Sequence, residues 1–568
     1  MNRAIKTIIA GARGPALVFL IPFIVYLPTL WGTFYYDDNV IFFGHQVKRL
    51  AENPFLLFKG GAGLEGVPGA PRSLHVFLLL MVYKFFGPSP LPYHLLNLLA
   101  HSATALMVFL LLRSLTENRA LALTGGLIFG LHPVHVENIT FVTLGGTDLF
   151  YTLWALLSLL LYIRFRGARP PAISGARPPT TLKALPLLGF SIIAFYFSLL
   201  SKESAVAMVV LFPLTEMLLG RKGYLWALPH LALVLYMKWG LIFSVAGIVS
   251  TAGSEGAVQI AGEASGPGEI ILNLGFFVKS LLLPYPLSPF IKEFGMKTAL
   301  YLLAVLPVAV AVLGVVLRKR LVVFGSLWFL FASAPYLVVP LLETNVAITA
   351  ERYIYGPSAG ACILLAYGLV NLKKLSRPVV AVILAAYSII GVDYFYKAWR
   401  TEEAFWRYSV KMNPDYVSGY TSLAGIELGR GNVGGAKAII HEALGRPKGM
   451  PAEFAQAAYI LADIARQEGA GTMAEGYYLL SLRYAPYEFS FIDLGYLYLN
   501  AGMPERAKWA FEGAMRFPHQ NMRAVFGLAK SYELMGLLDA ARSYAMRVVN
   551  EARDPVLRAA AAEILTAK

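Results

Sequence analysis

Two adjacent carboxylates, Asp37 and Asp38, follow directly on an apolar run and the aromatic stretch Trp31-Gly32-Thr33-Phe34-Tyr35-Tyr36. A carboxylate held beside a reacting hydroxyl is a general base, whereas two carboxylates in a row also serve simply to solvate a loop. A second group, His132, His135 and Glu137, puts two imidazoles and a carboxylate close enough in sequence to coordinate a metal. Pro133 interrupts any helix that would align the three, so the other reading is a hydrogen-bonded loop that shapes a cavity. The remaining polar residues of chemical interest are scattered: Arg72, His94, Asp148, the Ser201-Lys202-Glu203 triplet and Glu351-Arg352-Tyr353.

The elements that must position them are those of a membrane domain. With 57% hydrophobic and 15% charged residues over 568 positions, and a mean hydropathy of +0.59, the chain carries more apolar surface than a soluble core can bury. The net charge of +15 collects in short clusters between apolar runs, the pattern that orients membrane proteins, and requires no nucleic acid. Cys362 is the single cysteine, so no intramolecular disulfide can form.

If the basic clusters around Arg13, Arg113, Arg119, Arg164 to Lys183, Arg221, Arg318 to Arg320 and Lys373 to Arg377 face the cytoplasm, eleven spans result. They run over about 15–31, 93–113, 119–139, 148–165, 184–201, 204–220, 223–246, 298–317, 321–339, 357–372 and 378–396. This puts the N-terminus inside and the C-terminus outside. The apolar stretches 73–86 and 270–283 read as interfacial helices, because both are short and a crossing by the second would throw Arg318 to Arg320 outside. The first run suits a retained anchor, with Trp31, Phe34, Tyr35 and Tyr36 as its interfacial aromatics. All the polar residues named above then fall outside or at the outer boundary. Charges near span ends also act as ordinary snorkelling anchors, but their convergence on one side favours a shared site.

After Tyr396 the composition changes to amphipathic helices, and a repeat appears. Leu423-Ala424, Leu461-Ala462, Leu494-Gly495 and Leu528-Ala529 are followed by Gly431, Gly469, Gly502 and Gly536, then by Ala436, Ala474, Ala507 and Ala541. A period of about 34 residues, with small residues at helix crossings and glycine at the turn, predicts four tetratricopeptide repeats. The first is lengthened at 446–451, and Pro486 and Pro518 close the second and third. Stacked pairs of this kind form a curved solenoid whose concave side holds an extended peptide or serves as a structural surface. The expected domains are 1–397 in the membrane and 398–568 outside it.

Taken in order, Tyr36-Asp37-Asp38, Arg72, His94 with Asn97 and His101, His132-Pro133-Val134-His135-Val136-Glu137, Ser201-Lys202-Glu203, Leu283-Pro284-Tyr285-Pro286-Leu287-Ser288 and Glu351-Arg352-Tyr353-Ile354-Tyr355, then the repeats, carry a resemblance. The chain resembles the transmembrane and tetratricopeptide-repeat (TMTC) protein O-mannosyltransferases, bacterial relatives above all, in the GT-C class of glycosyltransferases. The resemblance implies an all-α membrane domain that moves a sugar, mannose or another hexose, from a polyprenyl-phosphate donor to Ser or Thr hydroxyls of an envelope protein. It implies Asp37 or Asp38 as the base, with Asp37 preferred and the other carboxylate as its orienting partner. Arg352 and Lys202 would hold the donor phosphate, unless Lys202 instead forms a salt bridge to Glu203 or a neighbouring carboxylate. Arg72, His94, His132, His135, Glu137, Asp148, Glu203, Glu351 and Tyr353 would line the substrate cavity. No metal or other cofactor is required, the solenoid would engage the acceptor, and the setting would be a bacterial inner membrane. Where the family reads Gly-Arg-Ser-Asp, this chain has Gly145-Gly146-Thr147-Asp148 and lacks the arginine.

Two other function classes fit a polytopic chain with repeats. One is a lipid-linked oligosaccharide ligase, against which the early Asp-Asp and the order of the Ser-Lys-Glu triplet speak. The other is a scaffold that recruits an envelope partner, which has no need of a shared polar face.

Overall fold

The computed structural model describes residues 3–36, 38–39, 45–58, 72–167, 181–237, 267–291, 296–342, 349–372, 376–517 and 521–566. Asp37, residues 168–180 of the basic linker, the end of the expected 223–246 span, Lys373, Lys374 and Pro518 lie outside the described residues. Among the described residues the fold is all-helical, with one isolated bridge between Ile291 and Thr349. They divide into two compact units, 1–405 and 406–568.

The first unit is an integral membrane domain. Among the described residues, seven helices are long and apolar enough to cross a bilayer: Pro90–Thr116, Leu144–Phe165, Ala184–Ser201, Lys297–Val316, Arg320–Leu337, Glu351–Val370 and Arg377–Trp399. Lys297–Val316 and Arg377–Trp399 are the least buried of these, and Leu302, Val316, Val382 and Ile389 turn outward, as helices facing lipid do. Leu144–Phe165 is the most enclosed and packs most extensively against Thr181–Ser201. The helices Arg320–Leu342 and Tyr355–Val370 cross at two glycines. A Cβ on Gly360 would lie 2.6 Å from the Gly325 carbonyl oxygen, so only the absence of side chains lets the backbones meet. That crossing fixes the two helices whose adjoining ends carry Tyr336 and follow the Glu351–Tyr353 triplet.

Of the other four expected spans, the first run belongs to the 23-residue helix Arg3–Val25, and the apolar helix from Tyr224 is described as far as Met237. Arg119–Leu131 is an apolar helix below spanning length. The expected 119–139 span stops at Leu131, because Pro133 has no N–H and its ring pushes His132 into an extended conformation (φ −63°, ψ 123°). A 3-10 turn, Pro133–His135, and a short helix, Val136–Thr140, continue the chain. The expected 204–220 span opens as a 3-10 helix, Glu203–Val210, and becomes α-helical only over Leu211–Leu218, where Pro213 falls in the first turn. The two stretches expected to be interfacial are the helices Ser73–Phe86 and Pro267–Leu282. At about 1.5 Å per residue both fall short of a ~30 Å hydrocarbon core.

The aromatic belt after the first run is divided. Trp31 and Tyr36 are exposed, but Phe34 and Tyr35 are buried. Phe34 meets the Tyr93 ring edge-on at 5.5 Å, and Tyr35 packs on Trp399 and donates its hydroxyl hydrogen to the Trp399 carbonyl. These two rings are internal anchors, not interfacial ones, and they hold the segment that leads to the carboxylates.

The second unit stacks four helix pairs: Val417–Gly429 with Val433–Leu444, Pro451–Gln467 with Gly471–Tyr484, Glu488–Asn500 with Pro504–Ala514, and Met522–Leu534 with Leu538–Glu551. The helix Pro555–Thr566 covers the last pair. Gly431, Gly469, Gly502 and Gly536 make the turn inside each pair with φ of +77°, +77°, +70° and +76°, a region that side chains disfavour. Ala436, Ala474, Ala507 and Ala541 are fully buried where helices cross. Phe511 fills the space that a side chain on Gly495 or Gly527 would take, which locks the third repeat to the fourth.

Candidate functional site

The break at Pro133 creates the site's framework. A helix end leaves its last carbonyls without intrahelical partners, and here side chains supply them. His135 Nδ1 lies 2.8 Å from the Phe129 oxygen, His101 Nε2 lies 2.9 Å from that of Gly130, and the Tyr26 hydroxyl donates to that of Leu131 at 2.9 Å. His132 Nδ1 accepts from the Val134 amide at 3.3 Å, which leaves its Nε2–H to donate to the Leu281 carbonyl at 3.0 Å. His135 Nε2 faces Ser358 Oγ at 2.9 Å, and His101 Nδ1 faces the Tyr355 hydroxyl at 2.9 Å. The imidazoles therefore cap a broken helix and tie it to its neighbours. His132 and His135 do not converge with Glu137 on a common point, and among the described residues no three His, Cys, Asp or Glu side chains gather as a metal site.

Residues 137–148 then receive most of the other charged groups. Glu137 accepts from the Arg352 guanidinium at 2.6 Å and from the Arg352 amide at 2.9 Å. Asn138 donates to the Arg352 carbonyl at 3.1 Å. Asp148 pairs with Lys202 Nζ at 2.6 Å and takes the Tyr336 hydroxyl on its other oxygen. The same hydroxyl meets Ser204 Oγ at 2.8 Å and Tyr151 at 3.3 Å. Between the two pairs stands Tyr353, with Arg352 at 4.8 Å and Lys202 at 5.3 Å from its ring centre and the Tyr336 ring stacked on it at 4.8 Å. Cations over aromatic faces are stabilised by the ring quadrupole. A third pair, Arg72 with Glu203, is bidentate at 2.7 and 3.2 Å. Its side chains are 19% and 41% exposed, against 1% for Glu137 and 1% for Asp148. Burial alone would raise the pKa of Glu203, but the Arg72 grip outweighs it and holds the group down at about 2.

Asp38 grips the same segment from the other side. Its Oδ1 accepts from the Thr143 amide at 2.8 Å and the Thr143 hydroxyl at 2.6 Å, and its Oδ2 from the amides of Val142 at 3.3 Å and Tyr35 at 3.5 Å. The side chain is wholly buried, and burial raises its pKa to about 7 against the pull of these four donors. Tyr36, just before the pair, is held at φ +40°. A non-glycine residue in that region is uncommon and marks a backbone over-determined by its surroundings. Phe141, one residue before Val142, carries the Arg352 guanidinium at 6.0 Å from its ring. Asp38 and the cations therefore adjoin one short segment.

The remaining sequence-predicted residues sit further from these cations. His94 lies in the helix Pro90–Thr116 with Nε2 3.3 Å from the Thr33 carbonyl, buttressing the approach to Tyr35. Glu351 accepts from the Ser288 amide at 2.7 Å and from the Tyr394 hydroxyl at 3.2 Å, which fastens the proline-rich loop 284–289 to the domain. Three residues the sequence reading passed over take part: Thr143, Tyr336 and His75. His75 Nε2 lies 3.2 Å from the Val142 carbonyl, and burial lowers its pKa to about 4, so it is neutral. A Cβ on Gly146 would lie 2.6 Å from the His75 ring, so the position where the resembling family has arginine is closed here by an imidazole. The available signal was a lone histidine in the apolar run 73–86.

In the second unit, Arg466, Asp493, Tyr496, Asn500 and Arg523 line a cavity of about 360 Å³. Asp493 is held by Tyr459 at 2.9 Å and by Arg523 at 2.9 Å.

No family model matches the chain. It is 32% identical over 151 residues to the protein O-mannosyl-transferase Tmtc1 of Drosophila melanogaster, covering 25% of this chain and 17% of that protein. Over 157 residues it is 32% identical to the protein O-mannosyl-transferase tmtc2 of Xenopus laevis, covering 27% and 18%. A longer match, 26% over 412 residues, is to the protein O-mannosyl-transferase TMTC4 of Mus musculus, covering 60% and 53%. The chain thus spans under a fifth of the fly and frog proteins and about half of the mouse one. Among solved structures it is similar to ArnT from Cupriavidus metallidurans bound to undecaprenyl phosphate, at 13% identity and TM-score 0.35, covering 94% of this chain and 80% of that one. It is also similar to the type IV pilus biogenesis factor PilW, at 20% identity and TM-score 0.24, covering 36% and 89%.

Proposed function

We propose that the membrane unit transfers a sugar, mannose or another hexose, from a polyprenyl-phosphate donor to Ser or Thr hydroxyls of an envelope protein on the extracytoplasmic face. The observation that carries this reading is the placement of Lys202 and Arg352, both buried, on either side of Tyr353 and against the segment that Asp38 clamps. The curated relatives are protein O-mannosyl-transferases, and the similar ArnT structure is bound to undecaprenyl phosphate.

The division of labour we propose starts from the contacts of Asp38. Asp38 has four donors on its two oxygens and serves as the positioning residue. Asp37, next to it, is the base that takes the acceptor hydroxyl proton. As that O–H bond breaks, the oxygen bonds to the anomeric carbon and the bond from that carbon to the phosphate oxygen breaks. The electron pair leaves with the polyprenyl phosphate, and the configuration inverts. Lys202 and Arg352 stabilise the charge that develops on the leaving phosphate. The solenoid cavity at Arg466, Asn500 and Arg523 engages the acceptor polypeptide, which raises its effective concentration at the membrane.

The test is transfer from a labelled polyprenyl-phosphate sugar by the purified chain in detergent, with intact mass of the acceptor as readout. Asp37→Asn should lower turnover by about 100 to 10,000-fold, the usual contribution of a general base, with donor binding retained. Wild-type turnover in Asp37→Asn, or transfer of a preassembled oligosaccharide in place of one sugar, would defeat the reading.

A further inference from the structure

Among the described residues, three ion pairs of the membrane unit lie together and balance: Arg72, Lys202 and Arg352 against Glu203, Asp148 and Glu137. The pairs adjoin, since Lys202 senses the charges of both Arg72 and Glu203, and Arg72 senses that of Asp148. A sugar phosphodiester brings a further negative charge. In a site shielded from water, an unbalanced charge is strongly disfavoured, so a carboxylate must yield as the phosphate arrives. Glu137 and Asp148 have no route to water, because each is 1% exposed and each also accepts a second hydrogen bond, from the Arg352 amide and the Tyr336 hydroxyl. Glu203 is 41% exposed, begins a 3-10 helix, and among the described residues its one side-chain hydrogen-bond partner is Arg72.

We infer that Glu203 is a placeholder for the donor phosphate: its carboxylate occupies the Arg72 guanidinium in the empty site, swings to solvent when the phosphate enters, and returns to expel the product. This rests on the polyprenyl-phosphate reading above and adds Arg72 as a third cation on the phosphate. A planar guanidinium accepts a carboxylate or a phosphate through the same two parallel N–H groups, so one anion substitutes for the other without a change in Arg72. The return step matters more than the entry. After transfer the lipid phosphate is a monoester carrying about −1.5 to −2 charges near pH 7, and it binds three cations more tightly than the diester did. Competition by Glu203 is what lets it leave.

The inference predicts opposite movements in two quantities that a structural role would move together. Glu203→Gln keeps the size of the side chain and removes the competing charge. In the full chain in detergent, it should bind a short polyprenyl monophosphate about tenfold tighter, while kcat falls by a similar factor because release is slowed. Glu203→Asp, which keeps the charge but shortens the reach, should lie between wild type and Glu203→Gln. In an Arg72→Met background, Glu203→Gln should give no tightening. Equal or weaker binding by Glu203→Gln would overturn the placeholder role and leave Glu203 as a strut for Arg72. A wild-type chain that binds no polyprenyl monophosphate would instead remove the functional reading itself, and the placeholder with it.

Discussion

Asp38→Asn separates a clamp from a base. Asparagine keeps one acceptor oxygen, which can still take the Thr143 amide and hydroxyl, but puts an NH2 group where Oδ2 accepts from Val142 and Tyr35. Two buried backbone N–H groups would then face a donor. An unsatisfied buried group costs about 1–3 kcal/mol, and the 3.3 and 3.5 Å lengths of these two bonds place each near the lower end. The total is about 2 kcal/mol of local destabilisation, or roughly a 30-fold rise in the opening of residues 141–148. Amide hydrogen exchange read by mass spectrometry on peptides covering that segment would register it. Peptides from the solenoid would stay unchanged and serve as the internal control. Faster exchange at 141–148 is the expected outcome. Unchanged exchange together with a loss of turnover of 100-fold or more would refute the clamp and make Asp38 the chemical base.

Three further outcomes follow from the same contacts. The raised pKa of Asp38 means that the folded state binds its proton more tightly than the unfolded one, so this group contributes stability that is fully present below about pH 4 and lost as pH rises to about 7. The shift corresponds to about 4 kcal/mol, and thermal unfolding measured between pH 4 and 7 should slope downward in wild type and lose that component in Asp38→Asn. Lys202→Met leaves Asp148 buried without its cation and should cost about 3–5 kcal/mol, whereas Lys202→Met with Asp148→Asn should recover much of it; equal melting of the single and double variants in detergent would show that the pair is not coupled. Gly146→Ala forces its methyl group into the His75 ring, so it should lower thermal stability by about 1–3 kcal/mol, and His75→Ala in the same chain should relieve the strain; a silent Gly146→Ala would show that the segment has room to move.

What the sequence revealed and what it hid divide along the range of the interactions involved. The solenoid is a local structure: each turn needs a glycine and each crossing a small residue, so the pattern recurs at a fixed spacing, and Gly431, Gly469, Gly502 and Gly536 stand at the turns expected for them. The long apolar helices are equally local, and so is the break at Pro133. The histidines were harder to assign. Their position beside a proline was visible, but the carbonyls they cap are on the helix that the proline ends, and a cap and a metal ligand have the same composition. The interfacial aromatics misled for a similar reason, since Phe34 and Tyr35 are buried only because Tyr93 and Trp399 come back to meet them. Charge pairing is the least local feature of all. Glu137 and Arg352 are 215 positions apart, and nothing in either segment names the other.

That pairing also constrains what the cluster is for. A buried ion pair is a poor source of stability, because desolvating both charges costs about as much as their attraction returns, and apolar residues of similar volume often do better. Two pairs as deeply buried as Glu137–Arg352 and Asp148–Lys202, with Tyr353 between their cations, are therefore weakly explained as struts. They are better explained as cations kept charge-compensated and in place while a site waits for its anion, each carboxylate being itself fixed by a second hydrogen bond. On that argument, the residues nearest the reacting atoms and those that merely hold them can be told apart by exposure. The buried carboxylates stay where they are, and Glu203, open to water on one side, is the one with somewhere to go.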